Sequence, residues 1–132
     1  MTKLYGLIGY PLSHSFSKKY FSEKFTKEAF EDKLAYENFE LADLSGLHDL
    51  INSLPNLIGL NVTIPYKEKV MAYLDEIDSI ATDIGAVNTI KISRDSQGVF
   101  LKGYNTDHIG FDASLTTLLQ SHHTGALILG TG

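Results

Sequence analysis

Short apolar runs of strand length alternate with segments of helical period, and this alternation restricts the fold more than any other feature of the chain. Residues 4–9 form an apolar run that ends at Gly-Tyr-Pro, as a buried strand entering a loop does. Over residues 15–30, Phe16, Tyr20, Phe21, Phe25 and Ala29 recur at near-helical spacing, with lysines on the opposite face. Residues 34–41 and 57–62 read as two further strands. Between them, residues 44–54 form a short helix with Leu47, Leu50, Ile51 and Leu54 on one face. Strand–helix–strand units of this kind imply right-handed crossovers and parallel pairing.

The second half of the chain departs from strict alternation. Proline is favoured at the first helical position, so Pro65 predicts a helix from there to about residue 73. A second helix over 75–84 carries Ile77, Ile80, Ala81 and Ile84 on one face, and Gly85 suits its C-terminal stop. Residues 86–93 and 99–104 flank a polar turn, which predicts a hairpin and some antiparallel pairing. Residues 109–120 form a helix with Phe111, Leu115, Leu118 and Leu119 as its core stripe. A last apolar run, 126–129, leads to Gly130-Thr131-Gly132. The predicted fold is therefore α/β, a three-layer α/β/α sandwich on a mainly parallel, mixed sheet. Residues 1–105 form one domain and 106–124 a linker helix and loop. Residues 125–132 form the opening strand of a truncated nucleotide-binding unit.

Composition narrows the function classes. The 132 residues are 43% hydrophobic and 20% charged, enough apolar material for one core. With 11 basic against 16 acidic residues the net charge is −5, and no Lys/Arg block occurs, which argues against nucleic acid and anionic membranes. The absence of cysteine removes disulfides, thiolate metal sites and thiol nucleophiles. The five histidines have no metal-ligand spacing, and no metal is expected. The N-terminal apolar run is too short for a secretion signal or a membrane span, so a cytoplasmic protein is expected. Asn61-Val62-Thr63 fits the glycosylation pattern, but outside the secretory route it is not used.

Open α/β sheets bind ligands beyond the carboxyl ends of their strands, and the polar residues of this chain gather there. Ser15 and Ser17 suit the N-cap of the following helix, or a ligand carboxylate or polyol. Lys67 falls in the first turn of the helix predicted from Pro65, where a cation opposes the helix dipole. It is either a solvated surface lysine or a general base whose pKa the helix end lowers. Asn88 and Asn105 serve turns or a ligand, and Thr106 or Asp107 caps the next helix. Asp107 alternatively shares a proton network with Lys67. A strand followed by Gly-x-Gly is how a dinucleotide-binding domain opens, which makes Gly130 and Gly132 an incomplete cofactor motif or a plain turn. The third small residue and the helix whose N-terminus would hold the pyrophosphate do not follow.

Four of these segments together resemble the shikimate dehydrogenase family. They are Gly9-Tyr10-Pro11-Leu12-Ser13-His14-Ser15-Phe16-Ser17, Asn61-Val62-Thr63-Ile64-Pro65-Tyr66-Lys67, Gly85-Ala86-Val87-Asn88-Thr89 and Asn105-Thr106-Asp107. The resemblance implies the reversible NADPH-dependent reduction of 3-dehydroshikimate to shikimate, within aromatic amino-acid biosynthesis. It implies that Ser15 and Ser17 bind the substrate carboxylate and that Thr63, Lys67, Asn88 and Asp107 surround the ring hydroxyls. Lys67 and Asp107 would be the catalytic pair. His108 stands where the family commonly has a small residue; it either projects outward or alters the local backbone. The fragment is expected to bind substrate and to lack turnover, because the cofactor domain lies beyond residue 132. Two other readings compete: a quinate-preferring or NAD-using relative, and a non-catalytic binding module for a cyclic hydroxy acid. Deprived of sheet partners, residues 126–129 would lie unpaired or pair with another chain as an exposed edge, which leaves a homodimer open.

Overall fold

The computed structural model describes residues 1–130. One mixed sheet organises them, built from β1 (Lys3–Gly9), β2 (Leu34–Glu40), β3 (Leu57–Val62), β4 (Glu76–Ile77), β5 (Thr89–Asp95) and β6 (Gly98–Tyr104). The strand order is β2-β1-β3-β5-β6-β4. Parallel pairs join β1 to β2 and β3, and β4 to β6. The pairs β3–β5 and β5–β6 are antiparallel.

Helices cover both faces, as the α/β expectation requires. On one side α1 (Ser17–Lys27) lays Phe25 and Phe21 against Leu7 and Tyr36. On the other, α2 (Leu47–Ser53) and α3 (Ser79–Ile84) bury Leu47, Ile51 and Ala81 against Ile8, Leu60, Val62 and Ile90. These are the apolar positions that period and alternation select, and Ile8, Leu47, Val87 and Ile90 are completely shielded from solvent. The Arg94 guanidinium closes the C-terminal end of α2 by donating to the carbonyls of Ile51, Leu54 and Leu57. The Ile51 and Leu54 carbonyls belong to the end of the helix, which leaves such groups without intrahelical partners, and Leu57 opens β3. Among the described residues no helix is long and apolar enough to cross a membrane.

Four expectations are corrected. Residues 65–73 do not form an α-helix: Pro65 follows a cis peptide bond in a turn, and only a 3-10 helix, Lys69–Tyr73, comes after it. The helix predicted over 75–84 is divided. Asp75 accepts from the Leu101 amide at 2.7 Å and β4 adds an edge strand beside β6. Asp78 then caps α3 by accepting from the Ile80 amide at 3.1 Å. At the other end Gly85 adopts the left-handed conformation, φ 77°, as its predicted role requires. Lastly, residues 126–129 form no strand, and Leu127, Ile128 and Leu129 are 82%, 83% and 87% exposed. A strand is held by its neighbour's hydrogen bonds, and among the described residues none pairs with this segment. The stripe on α4 (Asp107–Thr116) likewise packs on nothing described: Phe111 is 68% exposed.

Candidate functional site

The reversal of direction at β5 determines where the site lies. Because β5 runs against β3, its first residue Thr89 pairs with Asn61 near the end of β3. Because β6 runs against β5, its last residue Tyr104 also pairs with Thr89. The ends of β1, β3 and β6 and the start of β5 therefore share one edge of the sheet. Ser15 and Ser17 follow β1, Thr63 and Lys67 follow β3, Asn88 precedes β5 and Asp107 follows β6.

Ser15, Ser17 and Thr63 line one cleft of about 480 Å³, together with Tyr10, Pro11, His14 and Ile64. Its two walls are held together by backbone bonds from Thr63 N to Ile8 O at 3.0 Å and from Tyr10 N to Ile64 O at 3.1 Å. The serine loop is anchored from β2, where the Glu40 carboxylate accepts from the Leu12 amide at 2.7 Å. Neither serine is the N-cap of α1, which is Phe16 with no side-chain cap bond, although the Ser15 hydroxyl accepts from Ser17 N at 3.3 Å. Ser17 is the first residue of α1.

Lys67, Asn88 and Asp107 form the second group. Lys67 Nζ lies 2.5 Å from Asp107 Oδ2, joining the turn after β3 to the first residue of α4. The Lys67 carbonyl accepts from Val87 N at 2.7 Å, which ties the lysine turn to the segment that carries Asn88. No α-helix begins at Pro65, so Lys67 does not lie in the first turn of one. Its place in the site comes from its pairing with Asp107 at the start of α4. Thr106 is the N-cap residue of α4, without a side-chain cap bond, and Asp107 is the first helical residue. The Asn105 side chain accepts from His108 N at 3.3 Å. His108 does not simply project outward: its Nδ1 atom is buried without a hydrogen-bond partner.

Asn88 is 8% exposed and its amide is fixed. Oδ1 accepts from Thr106 N at 2.9 Å and from the Thr89 hydroxyl at 3.0 Å, and Nδ2 donates to Thr106 Oγ1 at 2.9 Å. Behind it the network continues through residues to which the sequence reading gave no role in the site. Asn61 Nδ2 donates to Thr89 Oγ1 at 3.4 Å, and the Tyr36 phenol donates to Asn61 Oδ1 at 2.8 Å. A tyrosine at a buried strand position was the available signal, because its hydroxyl must find a partner there.

Burial pushes the Tyr36 phenol up to about 12 from its ordinary 10.0, and the adjacent Ser17 hydroxyl offsets part of that rise. The neutral phenol is thus favoured in the folded state. Its stabilising contribution is complete below pH 10 and is lost as pH rises towards 12. The two-unit difference corresponds to about 2 to 3 kcal/mol. Urea unfolding of the wild-type chain is expected to show this loss, and Tyr36→Phe should remove that share of the alkaline slope. An unchanged slope in the variant would contradict the assignment.

The remaining expectation concerns the cofactor. Gly130 lies in an exposed segment outside any strand, with φ 92°, and Gly132 lies outside the described residues. The described residues provide no helix N-terminus after a strand at this point, so they do not fit a dinucleotide pyrophosphate.

A mixed α/β sheet whose strand ends gather hydroxyls, a fixed carboxamide and a lysine–carboxylate pair has the form of a small-molecule-binding domain. Comparison with known proteins gives the family. The model described as the shikimate dehydrogenase substrate binding domain matches residues 7–90, and the chain belongs to that family. A shikimate dehydrogenase (NADP(+)) of Halothermothrix orenii is 40% identical over 99% of this chain and 44% of its own length. The chain thus spans less than half of that relative. The crystal structure of shikimate dehydrogenase 1 from Peptoclostridium difficile superposes with a TM-score of 0.76 and 42% identity, over 88% of this chain and 41% of that one. A Listeria monocytogenes shikimate 5-dehydrogenase, solved with shikimate and NAD, gives a TM-score of 0.73 and 34% identity over 89% of this chain and 39% of that one. Asp107 lies outside residues 7–90 but inside the stretch shared with the Halothermothrix protein.

Proposed function

We propose that this chain holds the substrate and the proton-transferring pair of an NADP-dependent shikimate dehydrogenase. In this reading Ser15 and Ser17 bind the carboxylate of shikimate or 3-dehydroshikimate, and Thr63, Lys67, Asn88 and Asp107 meet the ring hydroxyls. The observation that carries it is the 2.5 Å Lys67–Asp107 pair, formed between segments 40 residues apart at the same sheet edge as the serine cleft. In reduction, the Lys67 ammonium gives its proton to the oxygen of the ketone. In oxidation, the neutral amine accepts that proton from the hydroxyl. Asp107 holds the lysine in place. NADP supplies the hydride chemistry, held by residues other than those described. Aromatic amino-acid biosynthesis in the cytoplasm is the setting this reaction implies.

Titration of the chain with shikimate, followed by NMR, tests the reading. Amide shifts are expected to cluster at Ser15, Ser17, Thr63, Lys67, Asn88 and Asp107, with quinate binding more weakly. Shifts clustered elsewhere would remove the site. The chain alone is expected to show no NADPH-dependent reduction of 3-dehydroshikimate, and measurable turnover would overturn the separation of substrate and cofactor sites.

A further inference from the structure

We propose that the Tyr36 hydroxyl is a positioning group for substrate binding, acting on Asn88 through Asn61 and Thr89; this rests on the substrate reading given above. Packing does not require a tyrosine at this position. The ring is 4% exposed and stacks on Phe21 at 4.5 Å between centroids, a role phenylalanine would serve. The hydroxyl is what tyrosine adds, and a buried hydroxyl is costly unless it is bonded. It donates to Asn61 Oδ1 at 2.8 Å.

Donation runs in one direction along this chain of groups. The phenol occupies Asn61 Oδ1, so the Asn61 amide must present Nδ2 to Thr89. The Thr89 oxygen accepts that bond, and its single proton goes to Asn88 Oδ1. With its oxygen satisfied by Thr89 and Thr106, Asn88 keeps an N–H beyond the one given to Thr106. That second N–H is available to a substrate hydroxyl. Without the phenol, Asn61 Oδ1 has no donor. Its amide can then turn over and take the Thr89 proton, and Asn88 loses a bond that fixes its orientation. The phenol therefore prevents the diversion of the Thr89 hydroxyl, and it acts on the ring-hydroxyl end of the site without touching the ligand.

Shikimate affinity of the 132-residue chain, measured by NMR titration, tests this in Tyr36→Phe, Thr89→Val and the double variant. Each single change is expected to raise Kd about fivefold, the scale of one well-placed hydrogen bond. The double variant should bind no worse than Thr89→Val alone, because both changes break one chain of bonds. Thr89→Ser, which keeps the hydroxyl, should bind like wild type and guards against a folding artefact. Wild-type affinity in Tyr36→Phe would overturn the positioning role, as would losses that multiply in the double variant. Failure of the wild-type chain to bind shikimate would instead sink the substrate reading, and this proposal with it.

Discussion

Turnover is expected to fall by about two to four orders of magnitude when Lys67 is replaced by alanine, while shikimate affinity changes by less than about tenfold. The suitable background is a chimera in which this chain replaces the matching stretch of the Halothermothrix orenii enzyme, so that a cofactor domain is present. The asymmetry follows from what each part of Lys67 does. Its backbone carbonyl holds Val87, and that bond survives the substitution. Its ammonium is the proton source beside Asp107, and alanine has none. The side chains of Lys67 and Asp107 are 36% and 56% exposed, so the unpaired carboxylate stays hydrated and the fold is not strained by it. Lys67→Arg sharpens the test, because arginine keeps the charge and the carboxylate contact but does not release a proton near neutral pH. If Lys67→Arg turns over at the wild-type rate, the lysine is an electrostatic anchor and the proton path lies elsewhere.

The second large effect is expected at Gly9, where β1 ends. A Cβ there would lie 2.5 Å from Thr63 Cγ2, 2.8 Å from Leu12 Cδ2 and 2.9 Å from the backbone oxygen of Ile64. The backbone oxygen cannot move aside as a side-chain tip can. Gly9→Ala therefore pushes the serine loop away from the turn after β3, and those are the two walls of the cleft. Overpacking of this kind costs about 1 to 3 kcal/mol, readable as a lower urea midpoint. Shikimate binding should weaken by more than about tenfold, because Ser15 and Thr63 can no longer close on one ligand. A variant with wild-type stability and affinity would mean that the two walls need not approach so closely.

Both residues belong to segments that were conspicuous in the sequence, although the physical reasons attached to them fared differently. Period and alternation identified α1, α2, the first three strands and the hairpin, because each buries its apolar positions against a neighbour within the described chain. The same patterns gave no information about partners. The stripe on α4 and the apolar residues 126–129 read as core, yet Phe111 and Leu127 are exposed, since periodicity records a need for burial and not its fulfilment. Lys67 was singled out on the premise of a helix beginning at Pro65. That helix is absent, and the residue stands in the site because the turn after β3 and the start of α4 converge across the sheet. Residues such as Tyr36 and Asn61 were illegible as a pair. They are 25 positions apart and meet only because β2 and β3 flank β1.

The reversed entry of β5 has a consequence for assembly. Since the site takes side chains from the segments after β1, β3 and β6 and from the approach to β5, no folding intermediate lacking the hairpin possesses it. A ligand that recognises all of these segments stabilises only the finished architecture, by an amount that grows with the logarithm of its concentration. Substrate would then hold the hairpin to the parallel strands, and its own supply would become a determinant of how much of the chain persists in the native state.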